Sequence, residues 1–365
     1  MRILALPLAA LLGLALPAQA QEEADAPSPN QIVDEAPREE WVTIPPENLL
    51  VMTLAPATDG TERRVVIQLM PEPFSQGWVA NIRTLARAEW YDGISVNRVQ
   101  DNYVVQWGDP NYDNPEADGA AKPVPDGLGT MAEADYVTRA SHYRYYSSRG
   151  KQPHEDRSNP PLKMHDLFES YAGFVGFSLG WPVAGTNSSV AFEKRRAIEN
   201  AYDYSRPDTI WPVHCYGMVG VGRGYSPDTG SGAELYTVIG HAPRHLDRNI
   251  ALVGRVVEGI EHLSSLPRGK GQLGFYENEA MRTPILTVRV AADLPASERP
   301  SFEYLATDGA SFARYAEARS DELDTVLDAA GVLPYFADYL DQATAVPDPT
   351  APAQPSDNRP YRIDG

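Results

Sequence analysis

Hydrophobic positions along this 365-residue chain fall into many short runs separated by turn residues, with few long periodic stripes. Glu47–Leu54 and Arg63–Met70 are two strand-like runs, and the Ala57–Gly60 turn between them predicts a hairpin. Pro71 and Pro73 break the second run. Trp78, Ile82 and Leu85 follow at i, i+4 and i+7, which predicts a helix near 75–88 with one face on a sheet. Ile94–Asp109 holds two more short apolar segments. Gly217–Val221, Leu235–Gly240 and Ile250–Gly254 then read as strands. Val256, Ile260 and Leu263 repeat the helical spacing near 256–264 before Pro267, and Pro284–Ala292 alternates as a strand. Many short strands with two well-marked core helices predict a mainly β fold, a barrel closed by helices.

Composition divides the rest. Met1-Arg2, the apolar Ile3–Leu16 and the small-x-small site at Ala18–Ala20 form a secretory signal pattern over residues 1–20. That apolar run is shorter than the roughly 20 residues a membrane span needs, and no later stretch is longer, so no membrane span is expected. Residues 21–46, rich in Glu, Asp, Pro and Ala, read as a flexible acidic linker. A main domain occupies 47–298, with an insertion at about 111–170 marked by Asn, Asp, Pro, Gly and clustered Tyr and Arg. Residues 299–345 read as a strand and helices, and 346–365 as a disordered tail.

The formal charge of −19 becomes one unit more negative once Arg2 leaves with the signal. So acidic a chain is a poor partner for nucleic acid or anionic lipid. The lone Cys215 cannot form an intramolecular disulfide. Export with a signal peptide implies a periplasmic location, and a soluble monomer is expected.

Two separated blocks carry chemistry. The first is Val65–Leu69, a helix, and then Tyr91–Pro110, reading Tyr-Asp-Gly-Ile-Ser-Val-Asn-Arg-Val-Gln-Asp-Asn-Tyr-Val-Val-Gln-Trp-Gly-Asp-Pro. It is similar to the stretch of the cyclophilin family in which Phe-His-Arg precedes an aromatic and Gln-Gly-Gly-Asp. The second, Gly217–Gly240 followed by His245–Gly259, resembles the family's Gly-x-Val-Gly-Met-Ala-Arg, Pro-Asp-Ser, Ser-Gln-Phe-Phe and Leu-Asp…Phe-Gly-x-Val-x-Glu-Gly series. The matches fall in family order. The resemblance implies an eight-stranded antiparallel barrel capped by two helices, and a peptidyl-prolyl cis-trans isomerase that binds proline-containing polypeptides without cofactor or metal.

The reaction explains which residue types matter. Rotation about an amide costs about 18–20 kcal/mol because the nitrogen lone pair is conjugated, while the two X-Pro isomers lie within about 1 kcal/mol. The protein must therefore favour the twisted amide, whose nitrogen is pyramidal and basic. A guanidinium stays charged and presents several donors in one plane. By resemblance Arg98 is that group, and Gln106 orders the substrate backbone and supports it. Tyr103 and Tyr236 match the aromatics of the proline pocket, Leu246 its aliphatic floor, Val104 a pocket methionine and Glu234 the glutamine of Ser-Gln-Phe-Phe. Aromatic and aliphatic walls suit a ring that offers apolar area and no N–H.

The chain also departs from the family. Asn97 and Ile250 stand where histidines are usual, and Gly222-Arg223-Gly224 replaces the peptide-backbone clamp. Glu234 is expected either to pair with Arg98 and hold it or to neutralise it, which keeps open a second reading, a catalytically weak peptide-binding or chaperone module. Gly176–Gly180 fits the Gly-x-Ser-x-Gly elbow of hydrolases, but that motif needs a helix after it and Trp181-Pro182 follows. The scattered histidines make no zinc pattern. The Tyr136–Tyr146 stretch reads as a solvated helix face rather than a contact surface.

Overall fold

The structure, a computed structural model, describes residues 27–112, 117–139, 146–147, 172, 174–186 and 209–329. The signal pattern and the 346–365 tail lie outside these residues, as does most of the predicted insertion beyond 139. Helix α1 (Pro29–Asp34) and strand β1 (Trp41–Thr43) precede the hairpin β2 (Leu49–Leu54) and β3 (Arg63–Leu69). Helix α2 (Gln76–Arg87), β4 (Ser95–Val99) and β5 (Val104–Gly108) follow. The short strands β6 (Thr138–Arg139) and β7 (Tyr146–Ser147) lead to β8 (Phe174–Ser178), β9 (Trp181–Thr186) and β10 (Thr209–Pro212). Then come β11 (Met218–Val221), β12 (Leu235–Val238), β13 (Leu252–Glu258), the single turn α3 (Glu261–Ser264), β14 (Thr283–Val290), β15 (Glu303–Leu305) and α4 (Ala310–Ala329).

Eight strands close into an antiparallel barrel in the order β11-β12-β5-β4-β14-β2-β3-β13. Closure leaves no exposed sheet edge. Alternation along the strands fills the barrel: Met52 and Leu54, Val65 and Ile67, Val105 and Trp107 all enter one buried core. Helix α2 closes one end, with Trp78, Val79, Ile82, Leu85 and Ala86 buried on one face as its spacing predicts. Polar groups fix that helix to the segment before β12. The Trp78 indole donates to the Thr229 and Gly230 carbonyls at 3.1 and 3.0 Å, and Asn81 donates to Ser231 O at 2.9 Å.

The second predicted helix is mostly strand. Strand β13 runs on through the β-branched pair Val256-Val257 and ends at Glu258, because a β-branched run packed between two neighbouring strands favours the sheet. Gly259, at φ 81°, then turns the chain where a Cβ would collide with the Arg64 carbonyl, so only one helical turn remains for Leu263.

The insertion is longer and more ordered than composition suggests. Strands β6 to β10 form a separate five-stranded sheet in the order β6-β10-β9-β8-β7, so the excursion from the barrel ends near Pro212 rather than near 170. Ser178 and Trp181 flank a two-residue hairpin turn, with Leu179 at φ 52° and Gly180 at φ 81°. A strand therefore follows Ser178 where a nucleophile elbow needs a helix, and Ser178 itself is buried. Tyr136 is buried too, stacked on Trp78 with ring centroids 5.5 Å apart, so this end of the Tyr-rich stretch is core rather than solvated face.

The linker reading of 21–46 fails from Pro29 onward. Ser28 and Gln31 form a capping box on α1, Ile32 is buried, and β1 pairs with β15 in register Val42↔Tyr304. Arg38 clasps Glu303 through both terminal guanidinium nitrogens. Local acidic composition could not reveal a partner strand about 260 residues away.

Candidate functional site

Register places the candidate residues in one row. Across the barrel wall Arg98 of β4 pairs with Gln106 of β5, Gln106 pairs with Tyr236 of β12, and Tyr236 pairs with Gly220 of β11. Side chains directly opposite on one face lie about 5 Å apart. The neighbouring row, Val96, Trp107 and Leu235, points into the barrel core. A bulge between Val96 and Arg98 makes this possible: both Val96 and Val99 enter the core although three residues apart. The extra residue swings Arg98 to the outer face.

That face carries its own apolar cluster of Val104, Tyr236, Val238 and Leu246, with Tyr103 and Ile250 packed against it. All of these but Val238 line, together with Arg98, Gln106 and Phe275, a cleft of about 530 Å³. Arg98, Tyr103, Val104, Gln106, Tyr236 and Leu246 thus meet as the resemblance implies. Gly220 is needed under the Tyr236 ring, because a Cβ there would collide with the tyrosine hydroxyl.

Arg98 is held by three hydrogen bonds and two aromatic rings. Nε donates to Leu273 O at 2.7 Å, Nη1 to Gln106 Oε1 at 3.1 Å, and Nη2 to Gln100 Oε1. Its guanidinium lies between two rings, 5.7 Å from the centroid of Tyr103 and 5.6 Å from that of Phe275. Burial lowers its pKa, opposed by the Tyr103 and Tyr236 hydroxyl groups, and an arginine remains charged throughout. Five N–H donors less three engaged leaves one on each terminal nitrogen.

Sequence reasoning missed the Gly271–Phe275 turn. Its Leu273 and Gly274 both have positive φ, 56° and 85°, which presents the Leu273 carbonyl to Arg98, and Phe275 forms a backbone bridge to Arg98. Gly274 sits so close to Gln100 that a Cβ would approach its Cβ to 2.9 Å. The Gly-Lys-Gly and Leu-Gly spacing at 269–274 was the available signal.

Glu234 is a correction. It does not line the cleft, and the side chains that hold Arg98 are Gln100 and Gln106. The Glu234 carboxylate is buried where a Cβ on Gly108 would stand. Glycine at 108 leaves the space that the Glu234 carboxylate fills. Asn97 is also a barrel residue rather than a cleft residue: it accepts from Ser95 Oγ at 2.6 Å and donates to Gly108 O at 3.0 Å. Ile250 lines the cleft where the family's histidine is expected.

Similarity to known proteins agrees with this architecture. Residues 56–290 match the family described as cyclophilin type peptidyl-prolyl cis-trans isomerase/CLD. Among solved structures, the cyclophilin AquaCyp293 from Hirschia baltica is 22% identical with a TM-score of 0.53, over 78% of this chain and 91% of that one. A Cryptosporidium parvum cyclophilin type peptidyl-prolyl cis-trans isomerase is 11% identical with a TM-score of 0.32, over 67% of this chain and 96% of that one. No curated protein matches. With a family match across most of its length and the closed eight-stranded barrel to go with it, this chain belongs to the cyclophilin-type peptidyl-prolyl cis-trans isomerases.

Proposed function

We propose that this chain isomerises X-Pro bonds in exported polypeptides, with Arg98 as its catalytic residue. The observation that carries the reading is the cross-strand row Arg98–Gln106–Tyr236 beside an apolar cleft. A prolyl ring fits against Tyr103, Val104, Tyr236, Leu246 and Ile250, leaving its nitrogen toward the guanidinium. As the amide twists, that nitrogen's lone pair leaves conjugation and becomes basic, and the remaining N–H groups of Arg98 are held ready to donate to it. Donors fixed before the reaction cost no reorganisation when charge develops. Gln106 accepts from Arg98 through Oε1, which leaves its amide hydrogens for the substrate backbone.

The position of Glu234 away from Arg98 removes the reason for expecting a neutralised guanidinium, so the isomerase reading is preferred to the binding module. Purified full chain should accelerate the cis-to-trans conversion of a proline tetrapeptide. A chain that binds such peptides without accelerating them overturns the isomerase reading in favour of the module. The periplasmic location rests on the Met1–Ala20 pattern. Cell fractionation with mass measurement should find a form beginning at Gln21, and an intact Met1 on the exported protein contradicts it.

A further inference from the structure

Behind the cleft lies a buried polar relay with no part in the isomerase reading so far. His214 follows β10, Asp247 follows the turn Arg244–Leu246, and Tyr236 belongs to β12. His214 Nδ1 lies 2.8 Å from Asp247 Oδ1, which also accepts the His214 backbone N–H at 3.0 Å. Arg244 Nε donates to the second oxygen, Oδ2, at 2.6 Å. His214 Nε2 lies 2.8 Å from the Tyr236 hydroxyl, and the two rings are near parallel, 12° apart. All three side chains are buried.

The chemistry fixes the direction of each bond. An ionised carboxylate only accepts, so Nδ1 of a neutral His214 carries the proton and Nε2 is bare. Tyr236 must therefore donate to it. Burial holds His214 below its ordinary pKa, against the opposing pull of Asp247, so the imidazole stays neutral. Burial pushes Asp247 up, but the bonds from His214 and Arg244 outweigh it and keep the carboxyl ionised. A phenol in the core is costly without a partner, and here its far end is seated over Gly220 while its near face lines the cleft.

We propose that His214 and Asp247 are positioning residues that lock the Tyr236 ring as a rigid wall of the proline pocket. The inference rests on the reading of that cleft as the proline site. A wall fixed before binding spares the ordering that a loose ring would undergo on binding. It touches the prolyl ring equally in the planar and twisted amide, so its loss raises KM and leaves kcat alone.

Two substitutions separate this from a merely structural role. Glutamine can place its amide where His214 has Nε2, and asparagine where it has Nδ1. His214→Gln should keep the Tyr236 bond and stay within twofold of wild type in KM. His214→Asn and Tyr236→Phe should each raise KM, and the dissociation constant of a proline tetrapeptide, about three- to tenfold, with kcat within twofold. Peptide affinity is measured by titration calorimetry on full chain, well below the melting point of each variant. Unchanged affinity in both His214→Asn and Tyr236→Phe overturns the inference, as does a His214→Gln variant as impaired as His214→Asn. A wild type that binds the tetrapeptide but does not turn it over overturns only the isomerase reading, since the affinity series still tests the wall. A wild type that does neither overturns both.

Discussion

Phe275→Leu tests whether the catalytic arginine is held by the turn that sequence reading missed. The guanidinium of Arg98 lies between Tyr103 and Phe275 at nearly equal distances, 5.7 and 5.6 Å. Phe275 is 4% exposed, so one face of the sandwich is dry. A cation over a desolvated ring is worth about 1–2 kcal/mol, between the exposed and fully buried cases. Leucine keeps most of the volume and should cost under about 1.5 kcal/mol of stability. If the ring serves to hold the guanidinium in the plane the twisted amide needs, the loss falls on the transition state. One to two kcal/mol is then about five- to thirtyfold in kcat, with KM little changed. The assay is isomerisation of a proline tetrapeptide at saturating and limiting concentrations, repeated in an Arg98→Ala background. There Phe275→Leu should have no further effect, because the group it positions is gone. A kcat within twofold of wild type, or an equal loss in the Arg98→Ala background, refutes the reasoning.

Three further outcomes follow from the same geometry. Arg98→Ala should abolish nearly all isomerisation with folding intact, and Arg98→Lys should fall by about 100-fold or more, since an ammonium cannot serve Leu273, Gln106 and the substrate nitrogen in one plane; tetrapeptide turnover with circular dichroism checks both. Glu234→Gln, which the family pattern suggests as a gain, should leave kcat/KM within about threefold, because the carboxylate sits at Gly108 rather than on Arg98; a tenfold rise in the same assay counts against this placement. Stability should fall on acidification: His214 is held below 6.5, so between that pH and its folded pKa the unfolded chain binds the extra proton, and Asp247, held below 3.8, adds a second loss at lower pH. Melting temperatures across pH 4–8 should show the first loss in wild type and not in His214→Gln.

How far the sequence could be read depended on whether the information was local. The hairpin β2–β3 and helix α2 were legible because period and turn chemistry lie within twenty residues. The barrel strands near the two motif blocks were legible for the same reason, and their family order supplied the pairing. Val256, Ile260 and Leu263 show the limit. Their helical spacing is real, but Val256 is committed to pairing with Ile67, and a tertiary partner outranks a three-residue stripe. Likewise Trp41–Thr43 looks like part of a polar tether until Glu303–Leu305 is seen beside it.

The site divides along the same line. Strand residues 98, 104, 106 and 236 could be placed by motif because two-residue alternation fixes which face each occupies, and Tyr103 stands just before β5. The one place where counting alone misleads is β4, where the bulge between Val96 and Arg98 shifts the phase and turns the arginine outward. Glu234 failed for the opposite reason: its motif position is right, but its side chain follows the space left by Gly108. What holds Arg98 from behind comes from neither block. Leu273 and Phe275 lie about 175 residues further along, in a turn shaped by two positive-φ residues, and no motif spacing connects them to the arginine. The same holds for His214 and Asp247, which reach Tyr236 from two different loops. Of the groups that would touch substrate, Arg98, Val104, Gln106 and Tyr236 lie in strands, where periodicity exposes them. The groups that hold those side chains still are supplied by loops, where only the fold brings them together.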